Sequence, residues 1–304
     1  GATFLTLTEN ELSNLFTDLE SDLRELSQVN KPENEMISLL EISILHFFRR
    51  SYDQIKNLFS IINNLTASSS RDVCRASTTT LRYLAMESTD NYTFLRESLE
   101  SAKTYLHPQQ KSHLIYSALS ILREVGRFLP NEVFGVTVSH FPEIWNAALS
   151  DDIELRYVAI KVIKIHLFHL PSNIQITFVE SLFMDCNSTL TNAGKTADSY
   201  HGAVLVYQTI YKLNPSAFND TKIDQMIEKM LNVSLTPNDY LTITIFDFIK
   251  YLCNDRPSAI TSKIASDTIT SLMAQIMNGY GLPNLFEILN DFIESFTDKK
   301  IFDV

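Results

Sequence analysis

The chain is poor in the residues that turn, clamp or charge a backbone for common catalytic folds. Only seven glycines occur in 304 residues, and they do not cluster, so phosphate-cradling loops and chains of tight hairpins are poorly supplied. Three cysteines, Cys74, Cys186 and Cys253, stand far apart with no C-x-x-C pair. That spacing argues against a zinc or dithiol site and reads as free thiols in a reducing compartment. Lys and Arg total 25 against 36 Asp and Glu, a formal charge of −11, which disfavours a surface built to neutralise nucleic-acid phosphates. No stretch approaches 18 uninterrupted apolar residues, and the opening GATFLTLTENEL carries neither a basic lead nor an apolar block. The expectation is a cytoplasmic protein with no membrane insertion. Five N-x-S/T sequons, at Asn64, Asn91, Asn187, Asn219 and Asn232, matter only on a secretory route.

What the chain does have is long apolar periodicity. Segments such as SHLIYSALSILREVGRFL and ELRYVAIKVIKIHLF place apolar residues at helical spacing over lengths too great for strands. Prolines then recur in register. Pro130, Pro171, Pro215 and Pro257 each lie twelve residues after Ala118, Ala159, Ala203 and Ile245, and Thr78 takes the same place ahead of Asp90. These anchors are spaced by 40, 41, 44 and 42 residues, the period of HEAT or armadillo-type units of two helices each. The fold expected is all-α, an α-α superhelix of about six to seven helix pairs, with residues 1–304 forming a single solenoid and no catalytic domain. Partner helices are expected in TFLRESLESAKTYL, VFGVTVSHFPEIWNAAL, NIQITFVESLFMDCNSTL and KIDQMIEKMLNVSL.

Arg75 and Arg156 each open an anchored helix behind Asp72 or Asp152. Either they pair along their own helix, or they reach carboxylates or carbonyls of adjacent repeats as a ladder. The Ser-rich TASSSRD reads as an N-cap, and Trp145 and Phe141 as inter-repeat core. Lys161 and Lys164 are placed on a solvated face.

Catalytic signals are sparse. Gly194-Lys195-Thr196 ends like a Walker A motif, but Thr189 stands where its first glycine belongs, and a helix rather than a strand precedes it. His166 and His169 lie three apart without an acidic or thiol partner at ligand spacing, and His113 and His201 have no nucleophile beside them. No catalytic, cofactor-binding or metal residues are assigned, no cofactor is expected, and the sequence does not fix which residues bind a partner.

Several of these segments also resemble the N-terminal repeats of TOR-type Ser/Thr kinases of the PIKK family. The run Asn64–Ser88 is similar without a gap, notably at Asn64-Leu65, Ser68, Val73 and Leu84-Ala85-Met86. Glu33–Leu45 resembles the family's N-E-x-x-G-G-x-x-A-I segment, and LESAKTYL its R-A-L-E-W-L. ALSILREVGRFLPNEVF, with Leu122-Arg123-Glu124 and Pro130, and DSYHGAVLVYQTIYKL, with His201-Gly202-Ala203, follow in order. Departures include Ala67, Ser70, Ser38, Leu39 and Tyr105 at positions where the family carries Pro, Asp, two glycines and Trp. The resemblance implies a non-catalytic HEAT arm that docks a Raptor-like subunit, and a second TOR protomer in the assembled complex, within growth and nutrient signalling. The alternative is an importin-like receptor or adaptor that binds basic cargo, which the acidic balance also suits.

The single-array expectation predicts a radius of gyration well above the roughly 19 Å of a compact domain of this length. Small-angle scattering checks it, and a compact value or substantial strand signal in circular dichroism contradicts it.

Overall fold

The computed structural model describes residues 14, 17–19, 21–25, 33–44, 52–87, 92–279 and 282–298. Asp90, Asn91 and the opening GATFLTLTENEL lie outside the described residues, except that an adjoining stretch, 14–25, is helical wherever it is described. The regular elements among the described residues are all helical. In chain order they are α1 (Glu33–Ile44), α2 (Tyr52–Leu65), α3 (Arg71–Glu87), α4 (Thr93–Tyr105), α5 (Ser112–Val125), α6 (Pro130–Ser139) and α7 (Phe141–Ala148). Then follow α8 (Ile153–His169), α9 (Ser172–Thr191), α10 (Ala197–Leu213), α11 (Asp220–Ser234), α12 (Asp239–Asp255), α13 (Ser262–Asn278) and α14 (Leu282–Asp298). Short 3-10 turns at Pro215–Ala217 and Pro257–Ala259 precede α11 and α13. The chain forms two compact units, Gly1–Ile144 and Trp145–Val304.

Inside each unit a helix packs on its successor and on the helix after that, which is how stacked helix pairs bury faces they cannot bury alone. In the first unit α3 lies between α1 and α5. The second layer follows the same rule: Phe59 of α2 meets Phe94 of α4 at 4.4 Å between ring centroids, and Arg96 of α4 bridges to Glu132 of α6. In the second unit one layer runs α8, α10, α12, α14 and the other α9, α11, α13. This is a helical-repeat protein.

The five anchors mark the tightest places. Thr78, Ala118, Ala159, Ala203 and Ile245 are all fully buried. A threonine fits that slot because its hydroxyl donates to the Cys74 and Arg75 carbonyls of its own helix, so no polar group is orphaned. Ser77, Thr79 and Thr80 bond back to carbonyls four residues earlier in the same way.

The recurring prolines act at both ends of the connection. Each lies beyond its anchored helix, and each also opens the next element: Pro130 starts α6, Pro171 immediately precedes α9, and Pro215 and Pro257 start the 3-10 turns. At those sites the missing N–H is one that a helix start leaves unpaired anyway.

Two expectations need correction. Residues 133–149 do not form one partner helix, because the chain breaks at His140 between α6 and α7. Pro142 is the cause: it has no N–H to give, and its ring clashes with the carbonyl four residues back, at Val138. Trp145 and Phe141, on the short helix that results, are only half-buried rather than core. By contrast the Ser-rich turn does cap α3, with the Ser70 hydroxyl accepting from the Val73 N–H.

Ala159→Phe should overpack its slot and cost about 1–3 kcal/mol, whereas Lys161→Ala, on an exposed position of the same helix, should stay within about 0.5 kcal/mol. Thermal melts of the two variants check this, and equal shifts would contradict the packing register.

Candidate protein-interaction site

Polar groups between stacked helices meet their partners one repeat away. Arg156, 1% exposed, opens α8 and donates from Nη1 to the Ser150 carbonyl and, at 3.0 Å, to Asp198 Oδ1 at the start of α10. Of the two alternatives open for Arg156, this is the inter-repeat contact. Asp152 does not pair with it and instead caps α8, accepting from the Glu154 and Leu155 N–H groups. Arg75 behaves differently: it pairs with Asp72 on its own exposed helix face and donates to the Tyr116 hydroxyl in the next repeat. Sequence reasoning did not find Asp198, although the 42-residue offset from Arg156 points to it.

Other bonds follow the same offset. Arg82 approaches the buried Glu124, which Arg123 also neutralises. His201 Nε2 meets the Thr244 hydroxyl at 3.1 Å, Tyr211 donates to Asp255 Oδ2 at 2.7 Å, and Lys250 bridges to Asp291. Next to His201 two helices approach closely. A Cβ on Gly202 would stand 2.0 Å from the Ala148 carbonyl oxygen, so only glycine fits where α10 abuts the end of α7.

The residues that invited chemistry are dispersed. Lys195 is exposed in the turn between α9 and α10, and a 20-residue helix occupies the place of the strand a P-loop requires. Thr196 caps α10 by accepting from the Ser199 N–H. His166 is buried while His169 is exposed, so the two rings occupy different environments. Burial lowers His166 to about 4, and burial with the nearby Arg156 charge lowers His201 to about 4. The cysteines are all buried free thiols, and burial pushes Cys74 up to about 11, away from the nucleophilic thiolate. His113 is half-buried at the start of α5. Two sequon asparagines do structural work: Asn187 accepts from the Tyr207 hydroxyl, and Asn219 caps α11.

Surfaces fit the second unit better than any pocket for chemistry. On the layer of α8, α10 and α12, exposed Tyr157, Phe168, Tyr240 and Tyr251 stand among Lys161, Lys164, Lys212 and Asp247. The Tyr157, His201 and Tyr240 rings follow one another at 6.4 Å steps, and the Lys212 ammonium lies over Tyr251 at 4.9 Å. Partial burial raises the Asp247 carboxyl, opposed by Lys250 and Lys212. Amphipathic aromatics set among mixed charges are the composition of protein-binding patches. The other layer carries a groove of about 340 Å³ between α11 and α13, lined by Asp224, Ile227, Glu228, Leu231, Leu235 and Asp267 among others.

The sequence matches no protein-family model, and no curated protein matches it. Among solved structures it is similar to an engineered protein at 11% identity and TM-score 0.42, covering 96% of this chain and 76% of that one. A second engineered protein is similar at 12% identity and TM-score 0.38, over 75% of this chain and 93% of that one. The repeat assignment rests on the packing described above and not on these likenesses.

Arg156→Met should cost about 1.5–3 kcal/mol, because it strips a charged bond from Asp198 and leaves a carbonyl short of a donor, while Arg75→Met on its exposed face should cost under about 1 kcal/mol. Chemical denaturation of both variants measures the difference.

The two buried histidines also predict a pH dependence. Their folded values lie below the ordinary 6.5, so between about pH 6.5 and 4 the unfolded chain binds more protons. The stability they contribute is complete above pH 6.5 and falls as pH drops toward 4, by at most about 1.4 kcal/mol per pH unit for each ring. Melting temperatures across that window should decline, and His201→Gln should flatten the decline.

Proposed function

We propose that this chain is a non-catalytic protein–protein interaction scaffold, and specifically the diverged N-terminal HEAT arm of a TOR-type kinase that docks a Raptor-like subunit. The observation that carries the scaffold reading is the set of exposed aromatics Tyr157 and Phe168 on α8 and Tyr240 and Tyr251 on α12, two helices that flank α10 in one layer. A partner laid across several repeats would engage such a set through a few aromatic anchors inside a broad contact. The finer TOR reading is supported by the ordered resemblance from Glu33 to Leu213. Its His201-Gly202-Ala203 element coincides with the α10 site where only glycine is tolerated.

A second reading, an importin-like or adaptor protein for basic cargo, is favoured by the carboxylates along the α11–α13 groove. The two differ in what they hold. Affinity purification from the native cell should recover TOR-complex subunits under the first reading and transport receptors or cargo under the second. Truncation after Leu170 should weaken capture by removing repeats, and substitution of Lys195 should leave it unchanged. Loss of function on the Lys195 change alone would contradict the non-catalytic reading.

A further inference from the structure

Two successive seams of the α9, α11 and α13 layer begin with related sequences but differ in how their charges are met. Before α11 the chain reads Pro215-Ser216-Ala217 and then Lys222-Ile223, and before α13 it reads Pro257-Ser258-Ala259 and then Lys263-Ile264. In the first copy the Lys222 ammonium crosses to Glu180 of α9, also bonds the Ala217 carbonyl, and lies over the Phe183 and Phe218 rings. That lysine seals the seam between α9 and α11. In the second copy Lys263 stands two residues after its cap Thr261, whereas Lys222 stands three after Asn219, and among the described residues neither Lys263 nor Asp224, Glu228 or Asp267 forms an ion pair. Gln275 Nε2 of α13 donates to the Ser234 carbonyl of α11 across this seam, and a groove lies beside that bond.

One continuous face of α11 lines it: Asp224, Ile227, Glu228, Leu231, Asn232 and Leu235 recur at three- and four-residue steps. At 1.5 Å per residue this face is roughly 16 Å long, about three helical turns. Ile227 and Ile264 form a buried floor, and Leu235 is 56% exposed at one end. The walls carry three carboxylates against the single Lys263. Asp224 and Glu228, four apart on one helix, repel each other with no cation between them.

We propose that the α11–α13 groove is a docking site for a basic amphipathic helix of a partner protein. Its apolar residues would pack on Ile227, Leu231 and Leu235, and its Lys or Arg side chains would lie between Asp224, Glu228 and Asp267, the role that Lys222 fills within the preceding seam. This deepens the scaffold reading by naming the chemistry of one partner, and it rests on that reading.

The test is fluorescence anisotropy on the full chain with a labelled helical peptide of about 15 residues, roughly 22 Å of helix, bearing a leucine face flanked by lysines. A matched peptide carries glutamate in place of lysine. The lysine peptide should bind at least about tenfold tighter, and more weakly as salt rises. D267K should weaken it about tenfold, and L235E should weaken it as well, whereas D151K, an equal charge change at an exposed turn outside the groove, should not. Unchanged melting curves show that the variants fold, and D224K replaces D267K if that one does not. Equal binding of the two peptides, or equal effects of D267K and D151K, overturns the proposal. So does self-association of the chain that L235E abolishes, since the occupant would then be a second copy. Peptide failure with continued recovery of partners in affinity purification removes the groove and leaves the scaffold.

Discussion

A helix buried on two sides has nowhere nearby to satisfy its polar atoms, and that constraint governs this molecule. α3, α10 and α12 are each packed on both flanks, so most of their buried side-chain donors and acceptors bond back to their own helix or reach the equivalent element one repeat along. Ser77, Thr78 and Thr80 take the first route. Arg156, Tyr211 and His201 take the second, meeting Asp198, Asp255 and Thr244 at offsets of 42, 44 and 43 residues. The repeat period is therefore written twice, once in apolar spacing and once in polar pairing. Bonds of the second kind join neighbouring repeats, and such nearest-neighbour terms couple the stability of one repeat to the next.

Close approach is the complement of that pairing. Bonds of about 3 Å between side chains on neighbouring helices require backbones drawn together by small residues. The fully buried alanines at 118, 159 and 203 supply this along the stack, and Gly202 supplies it at the end of α7, where even a methyl group would enter the Ala148 carbonyl. The neighbouring Ser199 hydroxyl donates to the Leu149 carbonyl across the same junction. Gly202 and Ser199 thus serve one contact: the first lets the chains touch, and the second satisfies a carbonyl exposed by the break at α7.

The repeat architecture was legible because its signals are local. Helix periodicity, a small anchor and a proline twelve residues later need no knowledge of the partner helix, and all five anchors are buried as the register requires. Pairwise chemistry was less legible, since Arg75 and Arg156 sit in the same sequence frame yet differ in fate. Arg156 meets an aspartate at its offset and is buried, while Arg75 meets a tyrosine and stays half-exposed beside Asp72. The break at His140 is marked in the sequence by Pro142, but the apolar stripe runs across it without interruption and reads as one helix. The α11–α13 groove had a faint trace, the repeated Pro-Ser-Ala and Lys-Ile, but whether a lysine closes a seam depends on aromatic rings and a carboxylate contributed by another helix.

In a periodic structure, a departure from the period carries more information than any feature that obeys it. Conformity has a sufficient cause in stability, because each seam must bury its apolar strip and pair its charges. Carboxylates left without a cation beside the α11–α13 seam have no such cause. Asp224 and Glu228 raise the energy of the isolated helix by repulsion, and Leu235 leaves apolar surface in water, so this region works against the folded state that its neighbours support. Natural sequences tolerate such local conflict chiefly at functional sites. The aromatic set on the opposite layer is different in kind: Lys212 over Tyr251 and Lys250 on Asp291 are already matched there. Those two lysines are met before any partner arrives, whereas the groove holds carboxylates without a matching cation, and unmatched charge selects the sign of its occupant.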